Sequence, residues 1–250
     1  MIDNLTPIET HGGIRVKRDD LFEIAGVRGG KARTCWALAQ GAKGLVTAGS
    51  RSSPQVNIVA HVAAALGIPC RVHTPCGKLT PELIEAQEMG AEIIQHPAGY
   101  NNVIIARSRH DVANRIGWKE IPFGMECFEA VRQTATQVKN LPRKGRIVIS
   151  VGSGMSLSGL LHGLFKLNRT NPVLGVIVGS DPSLYAGRVS KFSPPFWRDR
   201  CTFAYSDLDY HANAPDTMLG DLALDPIYEA KCLPYFEKGD IFWCIGIRNT

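Results

Sequence analysis

The stretch Val151-Gly152-Ser153-Gly154-Met155-Ser156-Leu157-Ser158-Gly159-Leu160 is a glycine-rich turn that follows the apolar run Ile147-Val148-Ile149-Ser150 and leads into residues with helical spacing. A buried strand that ends in such a turn and opens a helix forms an anion site, because free N–H groups and the positive end of the helix dipole point at the turn. The glycine spacing is neither that of a dinucleotide-binding turn nor that of a P-loop. It therefore predicts a site for one phosphate group, the alternative being a tight turn that binds nothing.

Short apolar runs alternate with amphipathic stretches on both sides of this turn. The predicted strands lie at 44–48, 69–73, 91–95, 146–151, 173–179 and 241–245. The predicted helices lie at 55–66, 80–89, 101–115, 126–139 and 156–167, with one more after Asp225-Pro226. Residues 181–221 are predicted to be irregular. This order of elements is typical of an α/β fold with parallel sheets covered by helices.

Two series of alternating elements predict two open parallel-sheet α/β units, and in such sheets a ligand lies at the carboxyl ends of the strands. We expect a smaller unit at residues 40–122 and a larger one made of residues 1–39 and 123–250.

Composition indicates an ordinary soluble protein, with 44% hydrophobic residues, 20% charged residues and a net charge of +5. No uninterrupted apolar stretch approaches the roughly 18 residues of a membrane helix, and the N-terminus lacks the pattern of a secretory signal.

The seven cysteines are scattered and form no C-x-x-C pair, which predicts reduced thiols in a cytoplasmic protein. The histidines show no metal-ligand spacing. The positive charge suits an anionic cofactor or a nucleic acid and does not decide between them.

Two further segments accompany the glycine turn: Val16-Lys17-Arg18-Asp19-Asp20-Leu21 with Gly29-Gly30-Lys31-Ala32-Arg33, and Leu224-Asp225-Pro226-Ile227-Tyr228-Glu229-Ala230-Lys231. In this order, the three segments resemble the pyridoxal-phosphate enzymes of fold type II, the tryptophan synthase β-like group. The resemblance is closest to the branch of aminocyclopropane-carboxylate deaminase and D-cysteine desulfhydrase. That branch has Gly-Gly-Asn-Lys where this sequence lacks the asparagine and places Lys31 directly after Gly30.

The resemblance implies the architecture of fold type II, two open parallel-sheet α/β units with the cofactor cleft between them, and a cofactor site built on these segments. Lys31 would hold pyridoxal phosphate as a Schiff base, the alternative being a solvated loop lysine. Glu229 would face the pyridine nitrogen, or be a solvent-facing helix residue, and Tyr228 would be a ring-side acid or base, or packing. The cofactor phosphate would be bound by Gly152, Ser153, Gly154, Met155 and Ser156.

A serine-rich loop aligns with the segment that holds the substrate carboxylate in the family. The resemblance assigns substrate binding there to Ser50, Ser52, Ser53 and Gln55, with Ser53 also a base or hydrogen-bond donor at the reactive carbon. The family's Ser-Asn-Gln triplet is Ser53-Pro54-Gln55 here. Because proline has no N–H, one backbone donor to a carboxylate is lost. The alternative is a purely structural substitution, since proline suits the first position of a helix.

The departures from the family pattern favour an unusual substrate. Besides Pro54, the last strand leads into Gly246-Ile247-Arg248-Asn249-Thr250 rather than His-Thr-Gly-Gly. We therefore expect an amino acid attached to a larger molecule, such as glycine on thymidine, which compact bacteriophage enzymes of this type isomerise or decarboxylate during DNA hypermodification. The enzyme would then work in the host cytoplasm.

Other functions stay open. The motif likeness itself favours a small-molecule lyase or deaminase acting on a D-cysteine-like or cyclopropane amino acid. A non-catalytic domain that binds pyridoxal phosphate would not need Lys31, Ser53 and Glu229 together, and a phosphosugar-binding domain would leave the Lys31 segment unexplained. The resemblance also implies a homodimer, and the lack of a long apolar stretch predicts no membrane partner.

Overall fold

The computed structural model describes residues 4–97, 100–178, 182–210 and 212–246. Within these ranges the chain forms fourteen strands and seven α-helices. The strands are β1 (Ile8–His11), β2 (Ile14–Arg18), β3 (Glu23–Ile24), β4 (Val27–Arg28), β5 (Gly44–Ala48), β6 (Cys70–Pro75), β7 (Glu92–His96), β8 (Trp118–Ile121), β9 (Ile147–Val151), β10 (Val173–Ile177), β11 (Cys201–Tyr205), β12 (Met218–Leu219), β13 (Leu222–Ala223) and β14 (Ile241–Cys244). The helices are α1 (Gly30–Ala39), α2 (Pro54–Ala65), α3 (Pro81–Glu88), α4 (Asn101–Ala113), α5 (Phe128–Thr136), α6 (Met155–Lys166) and α7 (Pro182–Phe192).

By its internal contacts the chain divides into two units. The large unit comprises Met1–Phe22 and Cys127–Thr250, and the small unit comprises Glu23–Glu126. The domain boundaries expected from the sequence differ from this division in residues 23–39 and 123–126, and they stay a prediction.

The large unit contains a six-stranded sheet in the order β1-β2-β14-β9-β10-β11. Strand β1 is antiparallel to β2, and every other pair in this sheet is parallel. Both faces of β9 are buried because its side chains alternate between two cores. Ile147, Ile149 and Val151 pack in one core with α6, whereas Val148 packs in the other with Phe242.

The small unit contains a four-stranded parallel sheet in the order β7-β6-β5-β8. Every residue of the central strand β5 is buried. A two-stranded antiparallel hairpin, β3-β4, precedes α1 in the same unit. The predicted α/β fold with parallel sheets is confirmed.

The structure corrects the prediction for residues 181–221. This region contains α7, β11 and β12 as well as a 3-10 helix at Trp197–Asp199. The helix expected after Asp225-Pro226 is a 3-10 helix, Glu229–Tyr235, with Pro234 inside it. Proline lacks the N–H that an α-helix needs at that position.

No helix in the described ranges is long and apolar enough to cross a membrane. All seven cysteines lie in those ranges and are free thiols. Burial raises the pKa of Cys70 and Cys201 to about 12, so both thiols stay protonated.

Candidate active site

The glycine-rich turn connects the carboxyl end of β9 with the first turn of α6 in the large unit. Gly154 is the N-cap residue with φ +85°, a conformation that favours glycine, and no side chain among the described residues caps the helix. A Cβ at Gly152 would lie 3.1 Å from Cε1 of Tyr228, and one at Gly154 would lie 3.0 Å from Cγ2 of Val189. The turn therefore leaves the first N–H groups of a twelve-residue helix available to an anion.

Glu229 is a buried carboxyl group next to this turn. Oε1 of Glu229 accepts long hydrogen bonds from Oγ of Ser150 and from the backbone N–H of Gly246, each at 3.4 Å. Burial, reinforced by the charge of Asp225, raises the pKa of Glu229 to about 8. Burial thus favours the protonated form of this carboxyl group at neutral pH.

The turn before Glu229 is fixed by Asp225. Oδ1 of Asp225 accepts hydrogen bonds from the backbone N–H groups of Ile227 and Tyr228, both at 2.9 Å. The carbonyl oxygen of Asp225 accepts another from the N–H of Ala230 at 2.9 Å. This side chain therefore sets the positions of both Tyr228 and Glu229.

Tyr228 lies against the glycine turn and forms a hydrogen bond with the hydroxyl of Tyr210. The two rings are edge to face, with centroids 6.0 Å apart. Nζ of the buried Lys231 donates to the carbonyl oxygens of Asp209 and Tyr210 at 2.8 and 3.1 Å. Lys231 thereby holds the loop that presents Tyr210.

The Lys-Arg-Asp-Asp segment belongs to the framework of the large unit. Nζ of Lys17, which is buried, donates to the carbonyl oxygen of Thr6 at 2.7 Å and to Oδ1 of Asn140 at 2.8 Å. Arg18 pairs with Asp20 through Nη2 and Oδ2 at 2.7 Å. The segment thus joins β2 to its neighbours.

Lys31 lies in the small unit, in the first turn of α1. The β3-β4 hairpin turns at Ala25 and Gly26, which both have positive φ, and it directly precedes α1. Arg28 pairs with Glu23 across the hairpin at 2.8 Å. Lys31 itself is half-buried. Lys31 therefore lies at the N-terminus of a helix and not in a solvated loop.

Ser53 caps α2 in the small unit. Oγ of Ser53 accepts a hydrogen bond from the N–H of Gln55 at 3.3 Å, and Pro54 takes the first helical position. Ser50 and Ser52, earlier in the loop, are exposed. The serine-rich loop thus ends at a helix N-terminus.

Gln55, in contrast, is buried and supports the sheet. Nε2 of Gln55 donates to Oγ1 of Thr47 at 3.0 Å and to the carbonyl oxygen of Pro122 at 2.8 Å. Oε1 of Gln55 is buried and has no hydrogen-bond partner within the described part of the chain. The amide nitrogen is committed to the small unit, and only Oε1 remains for another group.

The predicted site residues therefore fall into two groups. In the large unit the glycine turn, Tyr228 and Glu229 come together, and in the small unit Lys31 and Ser53 each lie at a helix N-terminus. Sequence reasoning missed Ser150 and Tyr210. Ser150 could have been found as the single polar residue of a buried strand, whereas Tyr210 lies in the region expected to be irregular.

The large-unit group suits a small phosphorylated heterocycle. The turn offers backbone donors to a phosphate, and the buried Glu229 carboxyl offers a partner to a ring nitrogen. The Gly152 backbone, with no Cβ, leaves the Tyr228 ring in contact with the turn. Backbone donors and a buried carboxyl group are the partners that a phosphate and a ring nitrogen would need.

Comparison with known proteins agrees with this chemistry. A Thermotoga maritima protein named as a 1-aminocyclopropane-1-carboxylate deaminase is 32% identical over 200 residues, covering 71% of this chain, and the chain spans only 62% of that relative. D-cysteine desulfhydrase of Klebsiella pneumoniae is 24% identical, with 93% of this chain and 83% of the relative covered. The crystal structure of an ACC deaminase homologue has a TM-score of 0.79 at 20% identity, covering 97% of this chain and 89% of that one, and shares the fold.

Residues 4–202 match the family model described as pyridoxal-phosphate dependent enzyme. The match covers well over half of the chain and includes Lys31 and the glycine turn. The chain therefore belongs to the family of pyridoxal-phosphate dependent enzymes, and its cofactor is pyridoxal phosphate.

Proposed function

We propose that this protein is a pyridoxal-phosphate-dependent lyase or deaminase that breaks a bond at or next to Cα of a small amino acid. The observation that carries the proposal is the buried Glu229 beside the glycine turn, in a chain of this family that also has Lys31 at a helix start. Bound pyridoxal phosphate supplies an electron sink that stabilises negative charge developing at Cα. The residues of the chain bind the cofactor and move protons.

The glycine turn is assigned to the cofactor phosphate. Gly152, Ser153, Gly154, Met155 and Ser156 offer backbone N–H groups at the positive end of the α6 dipole. Ser153 and Ser156 are both partly exposed, and their hydroxyls can add to the backbone donors.

Glu229 is assigned to the pyridine nitrogen. Because burial raises the pKa of Glu229 to about 8, the carboxyl group keeps its proton until a basic ring nitrogen arrives. Glu229 would then share its proton with that nitrogen, which would strengthen the electron sink that the cofactor supplies.

Lys31 is assigned covalent attachment of the cofactor and proton transfer at Cα. An amine must be neutral for both tasks. Ser53 and Tyr228 are assigned as further proton donors or acceptors, Ser53 through Oγ and Tyr228 through Oη.

The serine-rich loop is assigned to the substrate carboxylate. Ser50, Ser52 and Ser53 offer hydroxyl groups there, and Gln55 contributes from its buried position at the start of α2. Because Pro54 has no N–H, this loop holds a carboxylate with fewer backbone donors than a Ser-Asn-Gln triplet would.

A small amino acid as substrate is supported by the two curated relatives. One is named for 1-aminocyclopropane-1-carboxylate and the other for D-cysteine. We also propose a cytoplasmic location, because the seven cysteines are free thiols, and a homodimer, on family resemblance.

A second candidate is isomerisation or decarboxylation of glycine attached to thymidine in bacteriophage DNA. Pro54 favours it, because a loop with one fewer carboxylate donor suits a substrate that is anchored elsewhere. The net charge of +5 would favour approach to DNA.

Turnover by the cofactor-loaded protein separates the two candidates. D-cysteine and 1-aminocyclopropane-1-carboxylate should release ammonia and a 2-oxo acid, with hydrogen sulfide from D-cysteine, and Lys31→Ala should abolish the release. In a parallel reaction the substrate is DNA that carries glycine on thymidine, and the modified nucleoside is analysed by mass spectrometry and by its chromatographic retention. Loss of carbon dioxide or a retention shift, without turnover of free amino acids, would reject the lyase in favour of the second candidate.

A further inference from the structure

The small unit contains a groove of about 810 Å³ formed by β6, β7 and α4. Its volume is within the roughly 300–1,000 Å³ of typical small-molecule sites. The groove shares no lining residue with the proposed cofactor and substrate positions, because neither Lys31 nor the loop at 50–55 contributes to it. It is therefore a candidate second site.

The floor of the groove is a hydrogen-bonded chain from Asp111 through His73 to His96. Nε2 of His73 donates to Oδ2 of Asp111 at 2.9 Å, since a carboxylate can only accept. Nδ1 of His73 also forms a hydrogen bond with Nε2 of His96 at 2.8 Å. Arg71 and Arg115 donate to Asp111 through Nε at 2.7 and 2.8 Å. The Asp111 carboxylate is thus fully engaged and does not compete for a cation in the groove.

The contacts of Asp111 keep its carboxyl group ionised. Burial raises the pKa of Asp111, but hydrogen bonds from Arg115, His73 and Arg71 outweigh burial and hold that pKa well below its ordinary value. In the described part of the chain no three His, Cys, Asp or Glu side chains are placed to hold a metal ion. The Asp111 carboxylate is therefore ionised, and the described residues of the floor do not form a metal site.

The wall of the groove is one face of α4. Asn102, Ala106, His110 and Asn114 recur every fourth residue along it, and Arg107 lies beside them. Arg107 is exposed and forms no ion pair with any described residue, whereas Arg109 on the same helix pairs with Glu120 at 3.3 Å. Burial, together with the neighbouring His73 and the Arg107 guanidinium, lowers the pKa of His96. The charge of Arg107 thus acts inside the groove.

We propose that this groove binds a small-molecule oxyanion, a phosphate or carboxylate group carried by a metabolite. Arg107 is the charge partner, because a guanidinium binds two oxygens of such a group at once. Asn102 and His110 supply neighbouring donors from the same helix face. The volume leaves room for the rest of the metabolite beyond its anionic group.

Calorimetric titration of the full chain saturated with pyridoxal phosphate tests this site, since the cofactor then occupies its own phosphate position. The probes are inorganic pyrophosphate and citrate at an ionic strength held constant with sodium chloride. One equivalent of pyrophosphate should bind if the site selects phosphate, and citrate if it selects carboxylate. Arg107→Gln should weaken that binding at least tenfold, whereas Arg109→Gln, the matched control, should leave it unchanged.

Imidazole resonances provide the structural readout. The bound probe should shift the ring signals of His96 and His110 and leave those of His61, which pairs with Glu85 at 2.8 Å outside the groove. No binding of either probe to the unsubstituted protein would overturn the proposal. Equal weakening by Arg107→Gln and Arg109→Gln, with both variants folded by circular dichroism, would overturn it too.

Discussion

Gly152 faces Tyr228 so closely that a Cβ at position 152 would lie 3.1 Å from Cε1 of the tyrosine ring. Gly152→Ala should therefore displace the ring or the turn, at a cost of about 1–3 kcal/mol. If the turn binds the cofactor phosphate, the affinity for pyridoxal phosphate should fall about ten- to a hundredfold. Titration of the apoprotein, followed by visible absorption, measures this loss.

Gly187→Ala is the matched control for that substitution. Gly187 lies in α7, and a Cβ there would have no atom within 4 Å. Alanine is the better helix former, so the control should keep the cofactor affinity and gain about 0.5–1 kcal/mol in stability. Unchanged affinity in Gly152→Ala would remove the turn from the cofactor site.

Glu229 should make the stability of the cofactor-free protein depend on pH. Its pKa is raised from 4.5 to about 8 in the folded state, so the folded chain keeps a proton that the unfolded chain releases. The folded state therefore loses stability as pH rises from about 4.5 to about 8. Glu229→Gln removes this titration, and its Tm should exceed that of the unsubstituted protein by a margin that grows across the same interval.

The same variant has an opposite effect on the loaded protein. Glutamine cannot supply the proton to the ring nitrogen, so turnover should fall even where the apoprotein is more stable. Thermal melts at several pH values and initial rates with D-cysteine give the two results. A Tm difference that does not change with pH would show that Glu229 is ionised in the folded protein.

Ser53 has a capping role that must be separated from a chemical one. Ser53→Ala removes the acceptor for the N–H of Gln55 and should cost about 1 kcal/mol. Ser53→Asn keeps a capping oxygen but loses the hydroxyl. If Ser53 acts at the reactive carbon, Ser53→Asn should retain the Tm while kcat falls; if both Tm and kcat survive, the serine is structural only.

The locally determined parts of the fold were predictable from sequence. Strands β5, β9 and β10 are short apolar runs, and the glycines between β9 and α6 mark a turn whatever the rest of the chain does. The region at 181–221 was not predictable, because Pro194-Pro195 and scattered aromatics obscure the periodicity of α7 and β11.

The candidate site also has a part that sequence motifs indicate and a part that depends on tertiary structure. Motifs alone assign Lys31, Glu229 and the glycine turn to the cofactor. The burial of Glu229, which raises its pKa, depends on packing against β9 across a separation of 79 residues from Ser150. Two further sets of contacts also depend on tertiary structure: the hydrogen bond between Tyr210 and Tyr228, and those from Gln55 to Thr47 and Pro122. The local sequence pattern does not predict them.

Borohydride trapping is the most direct test of whether pyridoxal phosphate attaches to Lys31. The protein is loaded with pyridoxal phosphate, reduced with borohydride, digested and analysed by peptide mass spectrometry. We expect the phosphopyridoxyl group on Lys31, and we expect Lys31→Ala to show neither the visible band nor the label. Label on another lysine, such as the buried Lys17 or Lys231, or no label at all, would contradict it.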